Sequence, residues 1–230
     1  PEEEDAKASV RKLRTLLRHN DLHASSNKTV KASITLGDQI ALFRAAVPDG
    51  FEAEAYVEAY RRGEKSTKRA HVERAIDKVG EELSQETLSA MIEADDHKGV
   101  LDAIRGVLLS TDLISPAERK AIAAVESEVA TKLVANAAFE LLHGEGVFAD
   151  RYVEFLDALN AAKVRPTWAL STVLPALANP EEHVCIRPTA FRDQARSMMP
   201  KLQLEMTPDL GTYELLLQMA NEARDQLAEA

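Results

Sequence analysis

Six histidines and a single cysteine are the side chains of this 230-residue chain best suited to metal or nucleophile chemistry. Their spacing decides what that chemistry could be. His19 and His23 lie four apart, a separation that sets two imidazoles on one helix face, as zinc sites require. No glutamate follows His19, and Asn20-Asp21 marks a helix end, so the pair reads as exposed, unliganded histidine. Glu181-Glu182-His183 with Cys185 offers a metal cluster or a Cys/His nucleophile pair, because residues two apart on an extended segment share a face. No catalytic context surrounds them. The residues favour a buried structural cysteine beside a histidine that bonds a nearby carbonyl. An enzyme of unknown class around His183 and Cys185 stays open as an alternative.

Other stretches divide in the same way between chemistry and structure. Asp95-Asp96-His97 reads as a helix N-cap with first-turn carboxylates. His143-Gly144-Glu145-Gly146 follows a helix rather than joining a strand to one, so it reads as a left-handed helix stop at Gly144 and not as a phosphate loop. Arg165-Pro166-Thr167-Trp168 and the segment His183 to Pro188 place Arg165, Trp168, His183 and Arg187 near proline-fixed turns. They could line a concave recognition surface; the alternative is Trp168 as a core anchor with prolines that only stop helices. There is no G-x-S-x-G, H-E-x-x-H or Walker pattern, and no cofactor or metal is expected.

Charge adds one further candidate. The net charge of −10 opposes generic binding to phosphate polymers or anionic membrane. Residues 1–80 carry a net of +2, however, and residues 81–230 a net of −12. Arg61, Arg62, Lys65, Lys68 and Arg69 fall in the basic stretch 61–78, with a second basic group at Arg11, Lys12, Arg14 and Arg18. They read either as solvated helix faces or as phosphate-contacting residues of a nucleic-acid-binding accessory protein. No aromatic or glycine-rich nucleic-acid motif accompanies them, which favours the solvated face.

The elements that must position these residues are helices. Alanine and leucine abound while nine glycines, nine prolines and 5% aromatics are few, which disfavours a sandwich or barrel. Apolar periodicity predicts helices over about 5–18, from Asp38 as cap through Ile40, Phe43 and Val47, and through Val72, Ile76, Val79 and Leu83. Ser84, Asp95-Asp96 and Thr167 stand at helix starts, and Ser115-Pro116-Ala117-Glu118 predicts a capping box. Val129, Leu133, Val134, Ala137, Leu141 and Leu142 form a stripe expected to face the core, and Pro175 should kink or restart its helix. Short extended pieces at 184–186 and 202–204 permit at most one small two-stranded pairing. The expected architecture is all-α: a small, partly basic helical region at 1–80 and an acidic, bundle-like helical domain at 81–230.

Several stretches together resemble an uncharacterised bacterial all-helical protein family: Leu113 to Glu118, Leu141 to Gly146, Thr167 to Pro175, Asn179 to His183, Arg187-Pro188-Thr189 and Thr212-Tyr213. The resemblance covers about residues 81–228. Ala169 departs from it where proline is expected, and relatives run on past this chain's end. It implies a discrete helical module and brings no activity.

One cysteine excludes an intrachain disulfide, no apolar run reaches the roughly 18 residues of a membrane span, and the acidic start is unlike a signal peptide. The expectation is a cytoplasmic protein. The abrupt Pro1 and a last helix still running at Ala230 suggest a piece of something larger. With helix stripes and caps absorbing most informative residues, the expected function is a non-enzymatic helical binding or adaptor module that recognises a protein partner or a second copy of itself.

Overall fold

The computed structural model of the protein describes residues 34–57 and 70–229. The expected helix at 5–18, the histidines His19 and His23, and the basic residues Arg61, Arg62, Lys65, Lys68 and Arg69 lie outside the described residues. Helix accounts for more than half of the chain and no strand occurs among the described residues, so the fold is all-α. In order, the helices are α1 (Leu36–Ala46), α2 (Glu54–Val57), α3 (Ala70–Glu82), α4 (Gln85–Glu93), α5 (His97–Leu109) and α6 (Pro116–Ala123). They continue with α7 (Glu128–His143), α8 (Phe148–Ala161), α9 (Trp168–Ala178), α10 (Pro188–Met198) and α11 (Leu210–Glu229).

Local sequence sets the helix starts. The side chains of Ser84, Asp96, Ser115 and Thr167 each accept the N–H three residues on, satisfying one of the donors that every helix leaves open. At α6 Glu118 reaches back to the Ser115 N–H at 2.5 Å, which completes the capping box, with Pro116 in the first turn. Asp38 differs from expectation. Thr35 is the N-cap of α1, and Asp38 is its reciprocal partner, taking the Thr35 N–H at 3.1 Å and hydroxyl at 2.7 Å. Those bonds hold the Asp38 carboxyl below its ordinary value.

The chain divides into two compact units. The larger takes residues 71–193 and 203–221. Its centre is the pair α7 and α8, joined by a short turn and packed on each other, with α4 and α5 against α7, α6 against α5, and α9 against both α7 and α8. Val100, Leu101, Ile104, Val107 and Leu108 of α5 meet the core with Val134, Ala135, Ala138 and Leu141 of α7 and Tyr152, Phe155 and Leu159 of α8. α9 has no charged residue, and Trp168 to Leu177 are all buried, as a helix apolar on every side must be. Its two hydroxyls stay satisfied by turning inward: Ser171 and Thr172 both donate to the Trp168 carbonyl, at 3.3 and 2.6 Å.

Pro175 does not restart α9. It removes one donor, and the ladder resumes past it with the Asn179 N–H on the Pro175 carbonyl at 2.8 Å. No two-stranded pairing forms near 184–204, and backbone groups at and beside the two extended pieces turn to α9. The Ile186 N–H donates to the Thr172 hydroxyl at 2.9 Å, and the Glu205 carbonyl accepts the Trp168 indole N–H at 2.7 Å.

The smaller unit contains the described residues 34–57 together with 194–202 and 222–229. Phe43 stacks on Phe51 at 4.3 Å between ring centres, and Tyr56 meets both rings edge-on. The Ser197 hydroxyl donates to the Ile34 carbonyl at 2.8 Å, tying the end of α10 to the entry of α1.

Candidate functional site

His183 leaves the α9–α10 connection through a turn in which the Asn179 carbonyl accepts the Glu182 and His183 N–H groups. Its ring lies 4.1 Å from the Phe148 ring centre, and its Nδ1 is 3.1 Å from the Tyr213 hydroxyl. Tyr213 stacks on Tyr152 at 5.2 Å, and the Tyr152 hydroxyl reaches Ser171 at 3.1 Å. In the His183–Tyr213 contact the tautomer of His183 decides whether Nδ1 or the Tyr213 hydroxyl donates. Burial, helped by Arg151, lowers the pKa of His183, while Glu182 opposes them. Burial raises Tyr152 to about 12 and raises Tyr213 as well. A neutral histidine in an aromatic stack is the result.

Cys185 takes a different direction. Its Sγ lies 3.9 Å from the Ala169 carbonyl on α9, and burial pushes its thiol up to about 12. A nucleophilic cysteine needs the opposite shift, because the thiolate is the reactive form. His183 and Cys185 thus have separate partners, on α11 and α9. Among the described residues no group of three or more His, Cys, Asp and Glu side chains is placed to hold a metal ion.

The other sequence candidates are placed as follows. Trp168 is 1% exposed and its indole N–H is taken up by Glu205, so it anchors the core. Arg165 and Arg187 are exposed. His143 ends α7 and donates from Nε2 to the Leu83 carbonyl at 2.7 Å. Gly144 is not left-handed: its φ is −61°, and Gly146 carries the positive φ of 113°. Glycine is needed at 144 for a different reason. A Cβ there would come within 2.6 Å of the Glu140 carbonyl oxygen and within 2.9 Å of Arg151, whose Nη1 donates to the Glu140 and Leu141 carbonyls.

Two features are absent from any local pattern. The first is a cavity of about 570 Å³ walled by the Asp95-to-Lys98 turn, the α6–α7 loop and the first turns of α7. Asp95 adopts φ 57°, Asp96 caps α5, and Lys132 of α7 donates to Asp95 at 2.8 Å, which with His97 holds the Asp95 carboxyl below its ordinary value. The second is the outward face of α7. Of the stripe expected to face the core, Val134 and Leu141 are buried and Ala137 and Leu142 half-buried, but Val129 is 80% and Leu133 39% exposed, and Thr131, Ala135 and Ala138 are covered instead of them.

Among the described residues no helix is long and apolar enough to cross a membrane. Comparison of the chain with protein-family models, with curated proteins and with solved structures finds no match.

Proposed function

We propose that the protein is a non-enzymatic helical binding module that recognises a protein partner through the outward face of α7. The observation that carries this reading is the exposure of Val129 and Leu133, one helical turn apart on the helix that is otherwise central to the larger unit. Exposing two such side chains forgoes the stabilisation that a buried stripe would supply, about 1.5–3 kcal/mol for each fully buried side chain. Lys132 and the exposed acids Glu128 and Glu140 border them, and residues 81–230 carry a net charge of −12. The complementary partner presents an apolar helix face flanked by basic side chains.

The remaining chemistry-bearing side chains support the same reading by being used internally. Trp168, His143 and His183 each hold a named group of the same chain, and Cys185 is kept as a thiol.

The test is the double substitution Val129→Asp with Leu133→Asp. Both positions are exposed, so the fold persists while a stoichiometric complex with the partner disappears from size-exclusion profiles. A folded double variant that keeps the complex would overturn the reading.

A further inference from the structure

We propose that His71, in the first turn of α3, is a pH-sensitive latch on the loop between α5 and α6: uncharged it holds the Asp112 backbone, and protonated it lets that backbone go. The latch stands apart from the outward face of α7 and survives if that face has no partner.

Hydrogen-bond roles fix the state of the ring. The Asp112 N–H, which can only donate, meets His71 Nδ1 at 3.3 Å, so Nδ1 accepts and the ring keeps its proton on Nε2. The Thr111 hydroxyl lies 3.1 Å from the same nitrogen and accepts the Leu113 N–H at 3.3 Å. Thr111 is 1% exposed, so its hydroxyl proton goes to the His71 lone pair rather than to water. Arg119 of α6 donates to the Thr111 and Ile114 carbonyls and to the Asp112 carboxylate. Two side chains thus string the loop: Arg119 takes acceptors, and the half-buried His71 takes donors.

Protonation separates the two. A ring with hydrogen on both nitrogens has no acceptor left. The Thr111 hydroxyl can reverse and accept from it, but the Asp112 N–H cannot, and that tie is lost. Arg119 stays charged, so its bonds keep the loop on α6, and acid loosens only the hold of α3 on the loop. The charged groups at the latch are the Asp112 carboxylate and Arg119, paired at 3.0 Å, so a cationic ring finds no unmatched countercharge there. Elsewhere on α6 Glu118 is turned to Ser115 and Thr167 and Lys120 is exposed, while Asp102 and Arg105 of α5 pair with each other. On α3 itself Glu73 and Arg74 follow within one turn, and Lys68 and Arg69 precede the histidine in sequence. The rest of α3 is fixed further on, by the buried Ala75 and Val79 and by Leu83 just past its end, so the latch acts on the first turn. Histidine changes its charge between pH 5 and 8, which gives the latch its range.

The experiment follows the full chain by NMR from pH 8 to pH 5. The His71 ring signals and the Asp112 amide signal should move with one midpoint. Protection of that amide against hydrogen exchange should fall about threefold to tenfold over the range, the effect of losing one hydrogen bond. His71→Asn sets an uncharged acceptor where Nδ1 lies, so its Asp112 amide should hold its position and lose less protection than the parent's. His71→Phe removes the acceptor and should show the low protection at both ends of the range. Circular dichroism of each variant separates a lost latch from a lost fold, and the titration of the parent chain needs neither variant. An Asp112 amide that does not follow the His71 ring overturns the proposal, as does a ring that does not titrate in the range. An equal fall in protection in the parent and the folded His71→Asn chain would also overturn it and assign the change to another group.

Discussion

The Thr167 hydroxyl donates to the Glu118 carboxylate, 49 residues away in sequence, while the other oxygen of that carboxylate accepts the Ser115 N–H. One acid therefore closes the capping box of α6 and braces the first turn of α9, whose Leu170 N–H rests on the same Thr167 oxygen. Glu118→Ala removes both supports at once and should cost about 1–3 kcal/mol in urea unfolding, more than an isolated cap. Glu118→Gln, which can still reach both groups, should cost less. Equal stability of Glu118→Ala and the parent protein would show that the brace contributes nothing.

His183 ties stability to pH. Its folded-state pKa is lowered from 6.5, chiefly by burial, so the unfolded chain binds the proton first. Stability is therefore full above about 6.5, falls as the pH drops below that value and levels off once the folded-state pKa is passed. Protonation also makes Nδ1 a donor, so the Tyr213 hydroxyl can then only accept in its contact with His183. Urea unfolding at pH 7.5 and pH 5 checks this. The parent protein should lose more stability than His183→Phe over that interval, and an equal loss would remove His183 from the account.

Cys185 should be inert in the folded protein. With its thiol raised to about 12, reaction with a disulfide reagent at pH 8 should be slow in the native state and fast after unfolding. Cys185→Ser should fold. A rapid native-state reaction would contradict the placement of the thiol against α9.

The two glycines that follow α7 should fail differently on substitution. Gly144→Ala drives a Cβ into the Glu140 carbonyl and displaces Arg151 from the helix end, at a cost of about 1–3 kcal/mol. Gly146→Ala meets open space and strains only the positive φ, at about 1 kcal/mol. Thermal unfolding of the two variants should rank them in that order.

What could be read from the sequence was set by short range. Ser84, Asp96, Ser115 and Thr167 are caps because each acts on an N–H three residues ahead, and the uncharged run from Trp168 to Ala178 announces a buried helix without reference to its neighbours. The stripe of α7 was legible at Val134 and Leu141 and not at its N-terminal end. Val129 and Leu133 fit a helical stripe as well as Thr131 and Ala135 do, and only packing against α5 and α8 decides which face is covered. The cavity is hidden for the same reason: His97 and Thr131 come together through tertiary packing, and no spacing rule links them. Thr167 reads as a cap from its neighbours, but its hold on Glu118 does not.

The most direct measurement on the central claim is site-specific photo-crosslinking in the source cells, with the photoreactive residue at position 129 and, as control, in place of the exposed Glu86 on α4. The α7 reading predicts one discrete protein adduct from position 129, lost when Leu133→Asp is added, and none from position 86. No discrete adduct from position 129, or the same adduct from both positions, would contradict it.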